Sequence, residues 1–208
     1  MRDAPGKGRL NRSAIIFAGG RATRLGGSNK ALLDVGGRRI IDRILDAIGS
    51  LVDERLVLAN DSSLSGLAQA ELIYDPEPHA GVLPALAAGL RAAHGDVCLA
   101  VACDMPFVSR PLFEHLLEQL DDADVAIPRT AGYLEPMHAV YRRLAALEAV
   151  EATLAKGQRR MISYFDAVRV REVPEAEWRA LDPTGRASFN VNTPEDLAEA
   201  QRMSGLRD

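Results

Sequence analysis

Ser13-Ala14-Ile15-Ile16-Phe17-Ala18-Gly19-Gly20 is the stretch on which the fold turns. A short, nearly unbroken apolar run suits a strand covered on both faces, and the glycine pair marks where it stops. Outward from it, a polar glycine-rich loop leads to Arg38–Leu51, where Ile40, Ile41, Ile44, Leu45, Ile48 and Leu51 recur at helical spacing. Short strands follow at Leu56–Ala59 and Leu72–Tyr74, then an Ala/Leu-rich helix near Val82–Ala93. Val97–Ala102 is the most apolar strand, and it runs into the turn Cys103-Asp104-Met105-Pro106. A helix near Pro111–Leu120 and a strand near Val125–Pro128 continue the alternation. Such β-α-β order predicts an α/β domain of the Rossmann-like, three-layer kind, with a mostly parallel sheet between helices.

The second half departs from strict alternation. Glu135–Arg142 contains the apolar run MHAVY with no crossover before it, so an antiparallel insertion is expected there. Leu144–Leu154 and Arg160–Phe165 read as helical, and Val168–Val173 as a strand. A closing helix from about Pro194 to Met203 follows Phe189-Asn190-Val191-Asn192; Thr193, Pro194 and Asp196 supply its cap, first residue and acidic first turn. Met1 to Arg12 is polar and basic, and reads as a flexible tail ahead of a domain spanning 13–208.

Composition narrows the function. A net charge of -4 argues against a nucleic-acid binder, which is normally basic, yet leaves nucleotide binding open. Cys98 and Cys103 lie at odd spacing in one strand run, on opposite faces and poorly placed to pair. The four histidines are scattered and form no zinc spacing. Unpaired cysteines and the lack of a long apolar run lead to the expectation of a cytoplasmic protein with no membrane partner.

Three places can carry chemistry. In the loop Ala18–Lys30, glycines bring backbone N–H groups close to an anion, while Arg24 and Lys30 add charge-assisted bonds to phosphate. It is neither a Walker loop nor a GxGxxG fingerprint, and the plain alternative is a charged surface loop. Asp104, just beyond the most apolar strand, suits a Mg²⁺ ion bridging nucleotide phosphates; alone it reads more readily as a plain turn or helix-cap aspartate, and its place at the same sheet edge as the glycine loop favours the metal. Asn190 and Asn192 share a face if extended, and can hold a phosphate or pterin without adding charge, or simply shape the turn before the last helix.

Together these stretches resemble the molybdenum cofactor guanylyltransferase family of the nucleotidyltransferase superfamily. The resemblance rests on Ser13–Lys30, Asp75–Leu90, Ala102–Val108 (ACDMPFV), Glu135–Arg142 (EPMHAVYR) and Phe189–Leu197 (FNVNTPEDL). It implies a fold of the nucleotide-diphospho-sugar transferase type and transfer of GMP from GTP to molybdopterin in its molybdenum form, with Mg²⁺ as cofactor. It also implies transient contact with a molybdenum-insertion protein and with apo-molybdoenzymes. By the same resemblance Ala18, Gly19, Gly20, Arg24, Gly26 and Lys30 belong to the GTP-phosphate loop, and Asn60 and Asp75 to the nucleotide site. Asp104 is implied as metal ligand, Asn190 and Asn192 at the pterin and reaction centre, and Arg159 and Arg160 toward the pterin phosphate. Two positions depart from the family pattern: Asn29 stands where aspartate is usual, and Glu77 where glycine is common. Asn29 is expected to orient Lys30 through its carbonyl oxygen. Related transferases that use CTP, or a sugar or alcohol phosphate, share the glycine loop and form the rival reading, beside a catalytically weak cofactor-binding protein.

Overall fold

The computed structural model describes residues 10–19, 29–60, 62–67, 69–77 and 80–205. Among them, eight strands form one sheet: β1 (Arg12–Phe17), β2 (Glu54–Ala59), β3 (Glu71–Tyr74), β4 (Val97–Ala102), β5 (Val125–Thr130), β6 (Tyr133–Leu134), β7 (His138–Arg142) and β8 (Val170–Val173). The order across the sheet is β3-β2-β1-β4-β7-β5-β6, with β8 paired to β5. β3, β2, β1 and β4 run parallel; β7 enters antiparallel between β4 and β5, as the missing crossover led us to expect.

The helices are α1 (Ile40–Ile48), α2 (Val82–Ala92), α3 (Arg110–Gln119), α4 (Arg143–Ala155), α5 (Glu175–Arg179) and α6 (Pro194–Gly205). They cover two apolar layers, one on each face of the sheet. Ile16, Val57, Leu99 and Val101 pack on one side with α1, α3 and α6; Ile15, Leu56, Cys98 and Ala100 pack on the other with α2 and α4. Alternate strand residues thus serve opposite layers, which is why the strands are apolar throughout. Cys98 and Cys103 fall in different layers, both unpaired.

Nine residues are too few for a helix to persist alone, so α1 is made by its packing. Ile40, Ile41, Ile44, Leu45 and Ile48 are all buried, and each contributes about 1.5–3 kcal/mol by leaving water. Burial also decides where expectation and structure part. Residues 160–165 are not an α-helix: Gly157, at φ +74°, follows the end of α4, and Tyr164 is buried by a turn that leads into a 3-10 turn at Phe165–Ala167. The short α5 has no periodicity to read; it seats Trp178, whose Nε1 donates to the Arg129 carbonyl at 3.0 Å. β1 begins at Arg12, inside the expected tail, and the Asn11 carbonyl already accepts from Val97 N.

β1 leads outward to β2 and β3, and the chain then returns to place β4 on the other side of β1. The crossovers therefore diverge at the carboxyl ends of β1 and β4, where an open α/β sheet leaves a crevice for ligands.

Candidate active site

Ala18 and Gly19 follow the end of β1 at Phe17, and Cys103-Asp104 follow the end of β4; Cys103 N donates to the Phe17 carbonyl at 3.1 Å, locking the two ends together. Lys30, at the far end of the glycine loop, projects into the crevice between them. Its Nζ lies 2.5 Å from Asn192 Oδ1 and 3.4 Å from Asp104 Oδ2. Three segments far apart in sequence thus meet at one ammonium group.

The C-terminal segment is drawn to the sheet edge by backbone and cap. Val191 is fully buried and its N–H donates to the Asp104 carbonyl at 2.8 Å. Asp196 accepts from the N–H groups of Asn192 (2.9 Å) and Thr193 (2.8 Å), while Thr193 Oγ1 accepts from Asp196 N at 3.1 Å. This reciprocal cap closes the start of α6. The Asn192 and Thr193 N–H bonds, helped by Lys30 nearby, hold the Asp196 carboxyl below its usual range.

Burial disfavours the thiolate form of both cysteines. Burial, reinforced by the charge of Asp104, pushes the Cys103 thiol up to about 12, and burial does the same to Cys98. A thiol that stays protonated is a poor nucleophile. Half-buried Glu135 has its carboxyl raised by burial and then by Asp104, which places a second acidic group at this edge.

Beside the Lys30 junction opens a cleft of about 380 Å³. Phe17, Leu58, Val82, Ala85 and Met137 give it apolar walls, and Asn60 and Asp75 give it oxygen acceptors. Asn60 Oδ1 is buried with no partner among the described residues, an acceptor left for a ligand. A Cβ at position 19 would come within 2.9 Å of Asn60 Nδ2, so any larger residue there would displace the Asn60 amide. The chain then turns through Gly81, at φ +112°, into the N-terminus of α2 at the cleft wall. Arg159 reaches the rim of the cleft: its Nη1 donates to the Ala80 carbonyl at 3.2 Å and lies 3.9 Å from Glu77 Oε2.

The structure therefore brings Gly19, Asn60 and Asp75 to one cleft, and Lys30, Asp104 and Asn192 to its neighbour. Gly20, Arg24 and Gly26 lie outside the described residues. Ala18 is fully buried, and both its backbone groups serve the fold: N–H to the Leu58 carbonyl at 2.7 Å, carbonyl to the Asn29 amide at 3.0 Å. Asn190 donates to the Ser188 carbonyl at 3.1 Å and shapes the turn. Arg159 and Arg160 are exposed beyond the end of α4, not on a helix. Asn29 does not hold Lys30; its oxygen accepts from Ala31 N instead, because that N–H starts the 3-10 turn Lys30–Leu32. Phe17, Leu58 and Met137 escaped sequence reading because apolar residues at strand ends look like core. The Glu135-Pro136 pair just before MHAVY, whose first residue is Met137, was the available signal for both.

Comparison with known proteins identifies the family and the fold. Residues 14–171 match the family described as MobA-like NTP transferase domain. The probable molybdenum cofactor guanylyltransferase of Pelotomaculum thermopropionicum is 36% identical over 196 residues, covering 94% of each chain. The molybdenum cofactor guanylyltransferase of Desulfosudis oleivorans is 35% identical, covering 91% of this chain and 94% of its own. Molybdopterin-guanine dinucleotide biosynthesis protein A from Archaeoglobus fulgidus superposes with a TM-score of 0.77 at 27% identity, over 92% of this chain and 97% of its own. The 2-C-methyl-D-erythritol 4-phosphate cytidylyltransferase of Thermus thermophilus shares the fold, with a TM-score of 0.72 at 22% identity over 95% of this chain and all of its own. The chain belongs to the MobA-like NTP transferase family.

Proposed function

We propose that the protein transfers GMP from GTP to the terminal phosphate of molybdopterin in its molybdenum form, releasing pyrophosphate and forming the guanine dinucleotide cofactor. The observation that carries this reading is the Lys30–Asp104–Asn192 junction beside a nucleoside-sized cleft whose polar side chains offer oxygen acceptors. Guanine presents two adjacent donors, N1–H and the N2 amino group, which the Asp75 carboxylate and Asn60 Oδ1 can accept. The names of the relatives support the same substrate pair.

A phosphate oxygen of the acceptor forms the new bond to the α-phosphorus of GTP. The bond from that phosphorus to the bridging oxygen breaks, and pyrophosphate leaves with the electron pair. The acceptor is already anionic, so no side-chain nucleophile is required, in keeping with the protonated cysteines. What the protein contributes is position and charge. Lys30 places an ammonium where triphosphate charge collects; Asn192 and Asp104 hold that ammonium in the crevice.

Among the described residues no group of three or more His, Cys, Asp or Glu could hold a metal ion. Asp104 offers one hard carboxylate oxygen, the kind of donor Mg²⁺ favours, and would be the residue to hold the ion. Mg²⁺ held there supplies further neutralisation of the triphosphate.

Pyrophosphate release measured with GTP, CTP, ATP and UTP, with and without molybdopterin, tests the reading. Release should need GTP and molybdopterin together, and should stop on chelation of the divalent ion. Equal turnover with CTP, or with a sugar phosphate in place of molybdopterin, would overturn it. Among the described residues no helix is long and apolar enough to cross a membrane.

A further inference from the structure

We propose that Asn29 is a positioning residue: its side-chain amide is a clasp that ties the chain just before Lys30 to Ala18 beyond the end of β1, and in this chain the clasp uses an amide's donor as well as its acceptor. The inference rests on the nucleotide-transfer reading above for its kinetic consequence, and on geometry for the clasp itself.

Asn29 is 7% exposed, and both ends of its amide are engaged. Nδ2 donates to the Ala18 carbonyl at 3.0 Å, and Oδ1 accepts from Ala31 N at 3.0 Å. Ala18 is anchored in the sheet through its bond to Leu58, so the first contact ties the returning chain to the end of β1. The second starts the 3-10 turn at Lys30–Leu32. Lys30 leaves the backbone between these two contacts, and its Nζ reaches Asn192 and Asp104 only from there. One side chain therefore defines where the cation starts relative to β1.

The two contacts have opposite polarity. A carboxylate has the same shape and could still accept from Ala31 N, but it has no hydrogen for the Ala18 carbonyl. It would set an anionic oxygen against a carbonyl oxygen in a buried place, which costs more than deleting the group. A protonated carboxyl restores the donor. The titratable groups around the clasp, among the described residues, are Lys30 on its own segment, Cys103 and Asp104 at the end of β4, and Asp196 at the cap facing Lys30.

The test compares wild type with Asn29→Asp and Asn29→Ala between pH 5.5 and 8, using GTP binding, steady-state constants and thermal unfolding of the full chain. At pH 8, Asn29→Asp should weaken GTP binding and kcat/KM by roughly tenfold or more, the scale of one broken buried hydrogen bond, with KM for molybdopterin unchanged. Its deficit should shrink toward pH 5.5, in activity and in Tm alike, while that of Asn29→Ala should not. Equal constants for Asn29→Asp and wild type at pH 8, or a deficit independent of pH, would overturn the clasp. Wild type that binds no GTP overturns the functional reading instead. The pH-dependent Tm gap then decides the clasp by itself, a constant gap sinking it.

Discussion

Lys30 Nζ and Asn192 Oδ1 lie 2.5 Å apart although 162 residues separate them in the chain. The contact joins the loop after the first strand to the segment before the last helix, and it holds the ammonium 3.4 Å from Asp104. A lysine at the end of a polar loop has many rotamers; here two partners select the one that enters the crevice.

Lys30→Ala should therefore lower kcat by about 10²–10³, the usual loss when a group stabilising transition-state charge is removed. The side chain is surrounded by polar partners rather than core, so the unfolding midpoint in urea should move little. Near-normal turnover in the variant would take Lys30 out of the mechanism.

Asp104 has two separable roles. Its carbonyl accepts from Val191 N and anchors the C-terminal segment, whereas its carboxylate faces Lys30. Asp104→Asn keeps the first and removes the anionic oxygen a hard divalent ion favours. The variant should fold with native circular dichroism and lose most metal-dependent turnover. If activity disappears only together with the fold, Asp104 is a turn residue and no more.

His138 predicts an acid-side loss of stability. It is buried, stacked on Phe113 with centroids 4.8 Å apart, and burial lowers its pKa to about 4, opposed only by the charge of Asp182. The unfolded chain, with an imidazole near 6.5, takes up the proton first as pH falls. This contribution is fully present above that value and is lost progressively down to about pH 4, by roughly 3 kcal/mol in total. His138→Phe fills the same space without titrating. The difference in urea midpoint between variant and wild type should grow as pH falls from 7 to 4; a constant difference would contradict the assignment.

Ala131 sits at φ +49° and Gly132 at φ +84° in the two-residue turn joining β5 to β6. Such a turn wants positive φ at both places, which strains an L-residue with a Cβ. Its N–H donates to Glu175 Oε2 at 2.8 Å, a contact that any residue keeps. Ala131→Gly should raise stability by about 0.5–1 kcal/mol, the relief of strain exceeding the extra freedom of the unfolded chain. Calorimetry showing a lower Tm would mean that the turn is not strained.

Much of the framework could be read from residues alone, because burial on both faces of a sheet and on one face of a helix leaves a local record. The runs at Ser13–Ala18 and Val97–Ala102, the isoleucine spacing of α1, the unannounced strand at MHAVY and the cap at Thr193 and Asp196 are all properties of neighbouring residues. They were sufficient for the α/β class, the antiparallel insertion and the sheet edge where Lys30 and Asp104 would lie. What tertiary structure decided is where hydrogen-bonding groups find partners across the chain. Nothing near Asn29 in sequence tells that its amide goes to Ala18 and Ala31 rather than to Lys30. Nothing near Asn192 tells that it takes the lysine while Asn190 turns back to Ser188. Residues 160–165 carry helical spacing, yet burying Tyr164 after Gly157 yields a turn. Hydrophobic patterning is local and periodic, so sequence determined the layers; polar contacts depend on two atoms meeting within about 3 Å in the folded chain, so only packing could assign them.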